Sequence, residues 1–184
     1  MNFILNFEGT KSMKTIFFLL LSTLLFAHPH IFIDIYPDVV VENGIIKKLH
    51  FTWKIDEMSS SMILMDTDSN GNGKIDPNEE KSVEENYFNT MTDYDFYTFI
   101  KVANKKIPFP QITHFHPFME NHKMCYGFDL ELHTKAKETS LEFGDSDFYV
   151  ALTLKDKFVK IKGAKAKVTG VDNDFYYGYR LEFK

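Results

Sequence analysis

Two segments of β-type alternation, joined by an Asn-Gly pair, constrain the fold of this chain more than any other feature. Residues 30–41 (HIFIDIYPDVVV) and Ile45–Ile55 place apolar, mostly β-branched or aromatic residues at every second position. Successive side chains of a strand point to opposite faces, so this period predicts two strands. Asn43-Gly44 between them predicts a tight hairpin turn, because both residues tolerate positive φ. Pro37 predicts a bulge or a sheet edge within the first strand.

The β pattern returns in the second half of the chain. The expected strands lie at residues 95–102, 123–133, 140–143, 148–154, 158–161 and 175–183. An aromatic excess of 19 Phe and 9 Tyr suits a β core better than a cofactor pocket. Short strands with aromatic alternation predict a mainly β fold, an antiparallel sandwich-like sheet. With a helical insertion at about residues 56–91, the class is α+β overall.

The insertion has the pattern of an EF-hand-like helix–loop–helix. Residues 57–65 (EMSSSMILM) and 78–91 (NEEKSVEENYFNTM) predict two short helices on either side of a polar, glycine-rich loop. Met58, Met62 and Met65 fall at i, i+4 and i+7, which favours an apolar stripe facing the core over a box of soft metal ligands.

Residues 68–79 fit the calcium-loop pattern D-x-[DN]-x-[DN]-G-x5-E at every specified position. The predicted calcium ligands are the side chains of Asp68, Asn70, Asn72, Asp76 and bidentate Glu79, and the carbonyl of Lys74. Gly73 provides the sharp turn. Asn at two ligand positions and the lack of a second loop predict a weak structural site, with Kd roughly 10⁻⁵ to 10⁻³ M. The alternative is a solvated turn that only resembles the motif.

Residues 1–27 have the features of a secretory signal. Met13-Lys14 is followed by the apolar run 15–26 and by Ala27, which predicts cleavage before His28. Residues 1–12 look like an upstream extension. The alternative is a membrane anchor, but this run spans only about 18 Å of a roughly 30 Å hydrocarbon core. We therefore expect a single mature domain over residues 28–184, exported to the periplasm and without a membrane span.

Composition excludes several function classes. The net charge of −5 argues against nucleic acid as a partner and suits the binding of cations. A single cysteine, Cys125, cannot form an internal disulfide; a buried free thiol is favoured over a metal thiolate. The motifs of serine hydrolases, phosphate-binding loops and zinc peptidases are absent from the sequence, so we expect no enzyme.

Histidines suggest a second, transition-metal site. After cleavage, His28 would offer an α-amine and an imidazole to one ion, and His30 a further nitrogen. Pro29 has no backbone N–H for a square-planar copper or nickel site, which favours zinc or nickel in a mixed site. His114 and His116 form a second H-x-H, whose imidazoles would share one face of an extended segment.

The remaining candidates are less specific. They are His122, His133 and the carboxylate pair Asp145 and Asp147, while His50 alternates with its strand neighbours and is expected to be structural. Each of the histidines could also be an ordinary surface or hydrogen-bonded residue.

Several motifs together carry a family resemblance. The runs FAHPHIFIDIYPDVVVENGIIKKLHFTWKIDE, LMDTDSNGNGKIDPNEE and DSDFYVAL resemble a periplasmic family of unknown function, often described as the periplasmic part of an ABC-type transport system. Its members commonly sit beside NicO-type permeases of the nickel/cobalt family, and the pairing is implicated in divalent-metal transport, including zinc. His28 and His30 match the family's start and residues 68–79 match its loop. Asn70 and Asn72 depart from it, because Asp is common there.

The resemblance implies a periplasmic metal-binding accessory that hands zinc, nickel or cobalt to a NicO-type permease. A chain of this size and β content does not suit the two α/β lobes of an ABC solute receptor. The alternative hypothesis is a calcium-stabilised β module that binds a protein partner and no transported ion. A third, an enzyme with a copper centre at the N-terminal histidine, has the least support.

Overall fold

The computed structural model describes residues 30–172 and 174–184. The expected signal segment 1–27 and His28 lie outside this part of the chain. The described strands are β1 (Ile31–Glu42), β2 (Ile45–Ile55), β3 (Thr98–Val102), β4 (Lys105–Lys106), β5 (Ile112–Glu120), β6 (Lys123–Leu130), β7 (Thr139–Gly144), β8 (Val150–Thr153), β9 (Lys160–Lys162), β10 (Ala166–Asp172) and β11 (Tyr177–Phe183). The α-helices are α1 (Glu57–Thr67) and α2 (Glu80–Val83).

The predicted hairpin is confirmed. Glu42 pairs directly with Ile45, so Asn43 and Gly44 alone form the turn, with φ of 51° and 76°. Positive φ at both positions matches the twist of the two strands. Along β1 and β2 buried and less buried residues alternate, which places one face of the hairpin in the core.

The strands form two sheets. The first has the order β5-β6-β2-β1-β8, with β9 also paired to β1, and the second has the order β10-β11-β7-β3-β4. The mainly β fold is therefore confirmed, but the expectation of purely antiparallel pairing is wrong, because β8 and β9 both run parallel to β1. β1 pairs with β8 before Pro37 and with β9 after it. Because Pro37 itself pairs with neither strand, its missing backbone N–H removes no hydrogen bond from these two parallel pairings. The register irregularity lies further on, between Val40 and Val41.

Aromatic side chains join the two sheets in one core. The ring of Phe51 on β2 lies 5.9 Å from that of Phe143 on β7, edge to face. Trp53 meets Phe128 of β6 in the same way at 5.3 Å. All four side chains are at most 1% exposed. The aromatic excess of the sequence is only partly used in the core, because nine of the 23 described Phe and Tyr side chains are buried and six are exposed.

Helix α1 presents an unexpected face to the core. Ser59, Ser60 and Ile63 are buried, and the Ser60 hydroxyl donates to the Ile55 carbonyl and accepts from the Met124 N–H. Such small side chains allow the helix to approach β6 closely. A methionine stripe could not have made these backbone hydrogen bonds.

The predicted core stripe of methionines is therefore wrong. Met58, Met62 and Met65 are 65%, 58% and 86% exposed and form the outer face of α1. The three methionines do share one face of the helix, as their spacing predicts. That face is turned to the solvent and not, as their hydrophobicity suggested, to the core.

The second predicted helix is only partly regular. It is α-helical for the four residues of α2 and continues as a π turn over Glu84–Phe88. The 3-10 segment Asn89–Tyr97 that follows is interrupted by non-helical backbone at Tyr94, Asp95 and Phe96. Phe96 and Tyr97 have positive φ, so the strand expected from residue 95 begins only at Thr98.

Three strands were missed. β4 has two residues, β5 carries Pro117 and a register shift between Thr113 and His116, and β10 mixes lysines with Gly170. None of them has clean alternation. No helix of residues 30–172 and 174–184 is long and apolar enough to cross a membrane.

The two faces of α1 predict opposite responses to truncation. Ile63→Ala should lower the free energy of unfolding by about 2 kcal/mol or more, because it removes a buried side chain. Met62→Ala, its exposed neighbour, should change it by no more than about 0.5 kcal/mol. Urea denaturation of both variants measures the difference, and equal losses would contradict the placement of the methionine face.

Candidate functional site

The loop between α1 and α2 is organised around the carboxylate of Asp68. Its two oxygens accept hydrogen bonds from the backbone N–H groups of Gly71, Asn72 and Gly73 at 2.7–3.1 Å. Gly71 and Gly73 have φ of +70° and +76°, a region that glycine enters without steric cost. This arrangement folds the chain back on the end of α1, which explains the glycine at the sharp-turn position of the motif.

Two further carboxylates close the loop. Asp76 Oδ2 accepts from the side-chain amides of Asn70 at 2.7 Å and Asn72 at 2.8 Å. Glu79 Oε1 accepts from both the N–H and the hydroxyl of Ser69 at 2.8 Å.

Glu79 is the most buried carboxylate of the loop, at 3% exposure. Its Oε2 accepts from the Asp76 N–H at 3.0 Å. That bond and those from Ser69 lower the pKa of Glu79, since they favour the charged form. The carboxylate therefore carries its charge where it faces the start of the loop.

The centre of the loop holds hydrogen-bond donors between carboxylates. Asn70 Nδ2 lies 2.7 Å from Asp76 Oδ2 and 3.4 Å from Glu79 Oε1, so it occupies a position of negative potential. No group of three or more His, Cys, Asp or Glu side chains is arranged to hold a metal ion within the described residues. Any ion here would thus need the asparagine amides as well as the carboxylates. Ile75 packs against the core, as an apolar anchor would.

The histidines among residues 30–172 and 174–184 do not gather at one point. The ring of His30 lies 4.9 Å from that of Tyr149, and the backbone N–H of His30 donates to the Tyr149 carbonyl. His114 Nδ1 lies 3.1 Å from Asp129 Oδ2, whereas His116 Nδ1 lies 3.0 Å from Glu80 Oε1. The two imidazoles of the H-x-H thus bind different carboxylates. The irregularity between Thr113 and His116, with φ of +53° at His114, interrupts the alternation on which a shared face depended.

The structure instead brings His114 close to His50. Asp129 pairs with His50 across β2 and β6, and its Oδ1 lies 2.7 Å from His50 Nδ1 while its Oδ2 contacts His114. A carboxylate on Nδ1 fixes the ring and leaves Nε2 for another ligand, the arrangement found behind metal-binding histidines. Sequence reasoning assigned His50 a structural role and overlooked Asp129 and Glu80, because the contacts join residues far apart in the chain.

Other candidates have local roles. Cys125 is fully buried, and burial raises the pKa of its thiol to about 11, as expected of an inert thiol. Asp145 accepts from the N–H groups of Asp147, Tyr149 and Val150 and so orders its own loop. His122 lies in the turn between β5 and β6 with φ of 63°. His133 follows β6 and is exposed.

Comparison with known proteins gives a family without an assigned activity. The family described as "Protein of unknown function (DUF1007)" matches residues 13–172. An uncharacterised protein of Haemophilus influenzae is 28% identical over 136 residues, 71% of this chain and 65% of that protein. An uncharacterised 15.5 kDa protein in the trpE 3' region of Spirochaeta aurantia is 30% identical over 90 residues, 47% of this chain and 64% of that protein. The matched segments thus span just under two thirds of these relatives.

Proposed function

The chain belongs to the DUF1007 family of proteins of unknown function, and from that premise we propose that it is a periplasmic divalent-cation-binding accessory protein. Its loop of residues 68–79 takes calcium as a structural ion. Its histidines bind zinc, nickel or cobalt for transfer to a NicO-type membrane permease. The proposed role is binding and delivery, without catalysis.

The observation that carries the proposal is the position of Asn70 Nδ2 between the carboxylates of Asp76 and Glu79. A calcium ion placed there would replace the partial positive charge of the amide with a full one. Rotation of the Asn70 and Asn72 amides about their last side-chain torsion would exchange Nδ2 for Oδ1, the oxygen that calcium prefers. It would break the bonds that these Oδ1 atoms accept from the backbone N–H groups of Asn72 and Lys74, so calcium binding must compensate for their loss. The loop would then supply carboxylate, amide and carbonyl oxygens from a preorganised backbone.

The transition-metal part of the proposal is supported by the carboxylate partners of the histidines. His50 and His114 share Asp129, and His116 has Glu80, so each ring is oriented through Nδ1. Imidazole nitrogen suits zinc, nickel and cobalt alike. The α-amine of His28, which signal cleavage would free, and the His28 imidazole remain the first proposed ligands, together with His30. The resemblance to proteins encoded beside NicO-type permeases suggests the partner.

A second candidate function is a calcium-stabilised module that binds a protein partner and transports no ion. The methionine face of α1, Met58, Met62 and Met65, favours it, because methionine adapts its shape to varied partners. This face leads directly into the proposed calcium loop. An ion-dependent change in partner binding, without zinc binding, would favour this candidate over the first.

Calcium should stabilise the native protein. Binding to the folded state alone contributes about 2.7 kcal/mol at a hundredfold excess over Kd. Glu79→Gln removes the charge of the proposed bidentate ligand, so the calcium-dependent rise in Tm should largely disappear. Differential scanning calorimetry with calcium and with EGTA measures the rise within each variant.

The control for this experiment is Glu131→Gln, which neutralises an exposed glutamate outside the loop. It should keep the full calcium-dependent rise. A rise that is unchanged in Glu79→Gln would mean that calcium binds elsewhere.

Zinc binding should depend on the free terminus of the mature chain. His28→Ala, or one extra residue before His28, should each weaken zinc binding on the order of tenfold, or about 1.4 kcal/mol, because both destroy the amine–imidazole pair. Isothermal titration calorimetry measures this. If both variants bind zinc normally while the double variant His114→Ala, His116→Ala loses it, the site lies on β5 and the N-terminal assignment is wrong.

A further inference from the structure

One cavity of the described chain is lined by no residue of the calcium loop and by none of His50, His114 and His116. It has a volume of about 630 Å³, within the range of small-molecule sites. The beginning of β1, α1, the irregular helical segment after α2 and the loop before β8 enclose it. Its apolar floor is formed by the side chains of Ile31, Ile33, Ile55, Ile63, Met91 and Val150.

The charged side chains that line the cavity are all acidic. Asp93, Asp145 and Asp147 line it, and no lysine, arginine or histidine is among the described residues that do so. None of these three carboxylates forms an ion pair with another described residue. Asp145 is only 4% exposed, and three backbone N–H groups of its own loop, but no cation, stabilise its charge.

Two buried tyrosines provide a second observation that is independent of the acids. Tyr97 and Tyr126 line the cavity at 9% and 1% exposure, and neither hydroxyl has a hydrogen-bond partner in residues 30–172 and 174–184. The two side chains are largely buried, but their hydroxyl oxygens are open to the cavity, because Trp53 Nε1 is the only buried side-chain N or O atom of the described residues without a hydrogen-bond partner. Burial, together with the charges of Asp145 and Asp147, raises the pKa of Tyr97 to about 12, so its hydroxyl stays neutral and lies near those carboxylates.

The rim of the cavity adds aromatic faces. Tyr94 and Tyr149 are 46% and 53% exposed, and the ring of Tyr94 stacks on that of Tyr97 at 5.5 Å. Tyrosine faces attract cations, and more strongly where water is excluded. The cavity thus combines an apolar floor and an aromatic rim with carboxylates that have no cationic partner and tyrosine hydroxyls that have no hydrogen-bond partner. These features favour a ligand with an apolar body and a positively charged group.

We propose that this cavity binds a small organic cation with an alkylammonium group. The apolar body of the ligand lies against the isoleucines. Its ammonium group donates hydrogen bonds to the tyrosine hydroxyls and faces Asp145 and Asp147. None of the described residues named above as metal ligands lines the cavity, although the ring of Tyr149 on its rim lies 4.9 Å from that of His30. The proposed ammonium site uses no metal ion and does not depend on the proposed function.

The test uses three probes of similar shape and different charge. 2-Phenylethylammonium, 2-phenylethanol and 3-phenylpropionate are titrated into the protein by isothermal titration calorimetry at one ionic strength. The ammonium should bind on the order of tenfold more tightly than the alcohol, and the carboxylate most weakly. Equal binding of ammonium and alcohol, or no binding of the ammonium at millimolar concentration, would overturn the proposal.

Variants locate the site. Asp147→Asn neutralises an exposed carboxylate without removing a hydrogen bond of the loop, since its side chain accepts none from the described residues. It should weaken ammonium binding on the order of tenfold and leave the alcohol unchanged. Tyr97→Phe should weaken the ammonium as well, while Asp156→Asn, an exposed control outside the cavity, should not. Native circular dichroism melts establish that each variant is folded. Ammonium binding that is unaffected by both cavity variants would contradict the assignment.

A fourth probe distinguishes the source of the ammonium group. N-Acetyl-lysine N-methylamide carries it on the side chain of a blocked residue. Weaker binding than 2-phenylethylammonium assigns the site to a free amine, and tighter binding assigns it to a lysine side chain. Failure of both amines would overturn the site itself.

Discussion

The carboxylate of Asp56 joins the central hairpin to the helical segment, and the position of the loop depends on it. Its Oδ2 accepts from the Phe32 N–H at the start of β1, and its Oδ1 accepts from the Ser59 N–H in the first turn of α1. The Asp56 N–H in turn donates to the Phe32 carbonyl. Partial burial works to raise the pKa of Asp56, but the bonds from Phe32 and Ser59 outweigh it and lower that pKa. Through this residue the hairpin sets where α1 begins, and α1 sets where the loop folds.

Local patterns in the sequence were enough to predict what local physics determines. The β1–β2 hairpin follows from alternation and from Asn43-Gly44. The calcium ligands expected within residues 68–79 stay a prediction. What depends on distant contacts could not be read in this way. The parallel strands β8 and β9, and the bridge from His50 through Asp129 to His114, join segments whose pairing no local pattern indicates.

The methionines of α1 show why amphipathicity alone can mislead. Hydrophobicity favours burying Met58 and Met62, whereas the packing distance to β6 favours small side chains that can hydrogen-bond to neighbouring strands. Ser60 is both small enough for the close packing and able to hydrogen-bond to the neighbouring strands, so the longer methionine side chains face outwards. Ser69 was overlooked for a related reason: the motif leaves its position free, yet it holds Glu79 through two hydrogen bonds.

The central claim is that calcium binds within residues 68–79, and an NMR titration of the isotope-labelled protein with calcium tests it most directly. The N–H groups of Gly71 and Gly73 donate to the Asp68 carboxylate, so their amide resonances report on any ion that this carboxylate binds. We predict that the largest shifts fall on the loop, saturate at one ion per chain and leave the β1–β2 hairpin unchanged. No shift in the loop at millimolar calcium, or larger shifts around Asp129 or Asp145, would contradict the account.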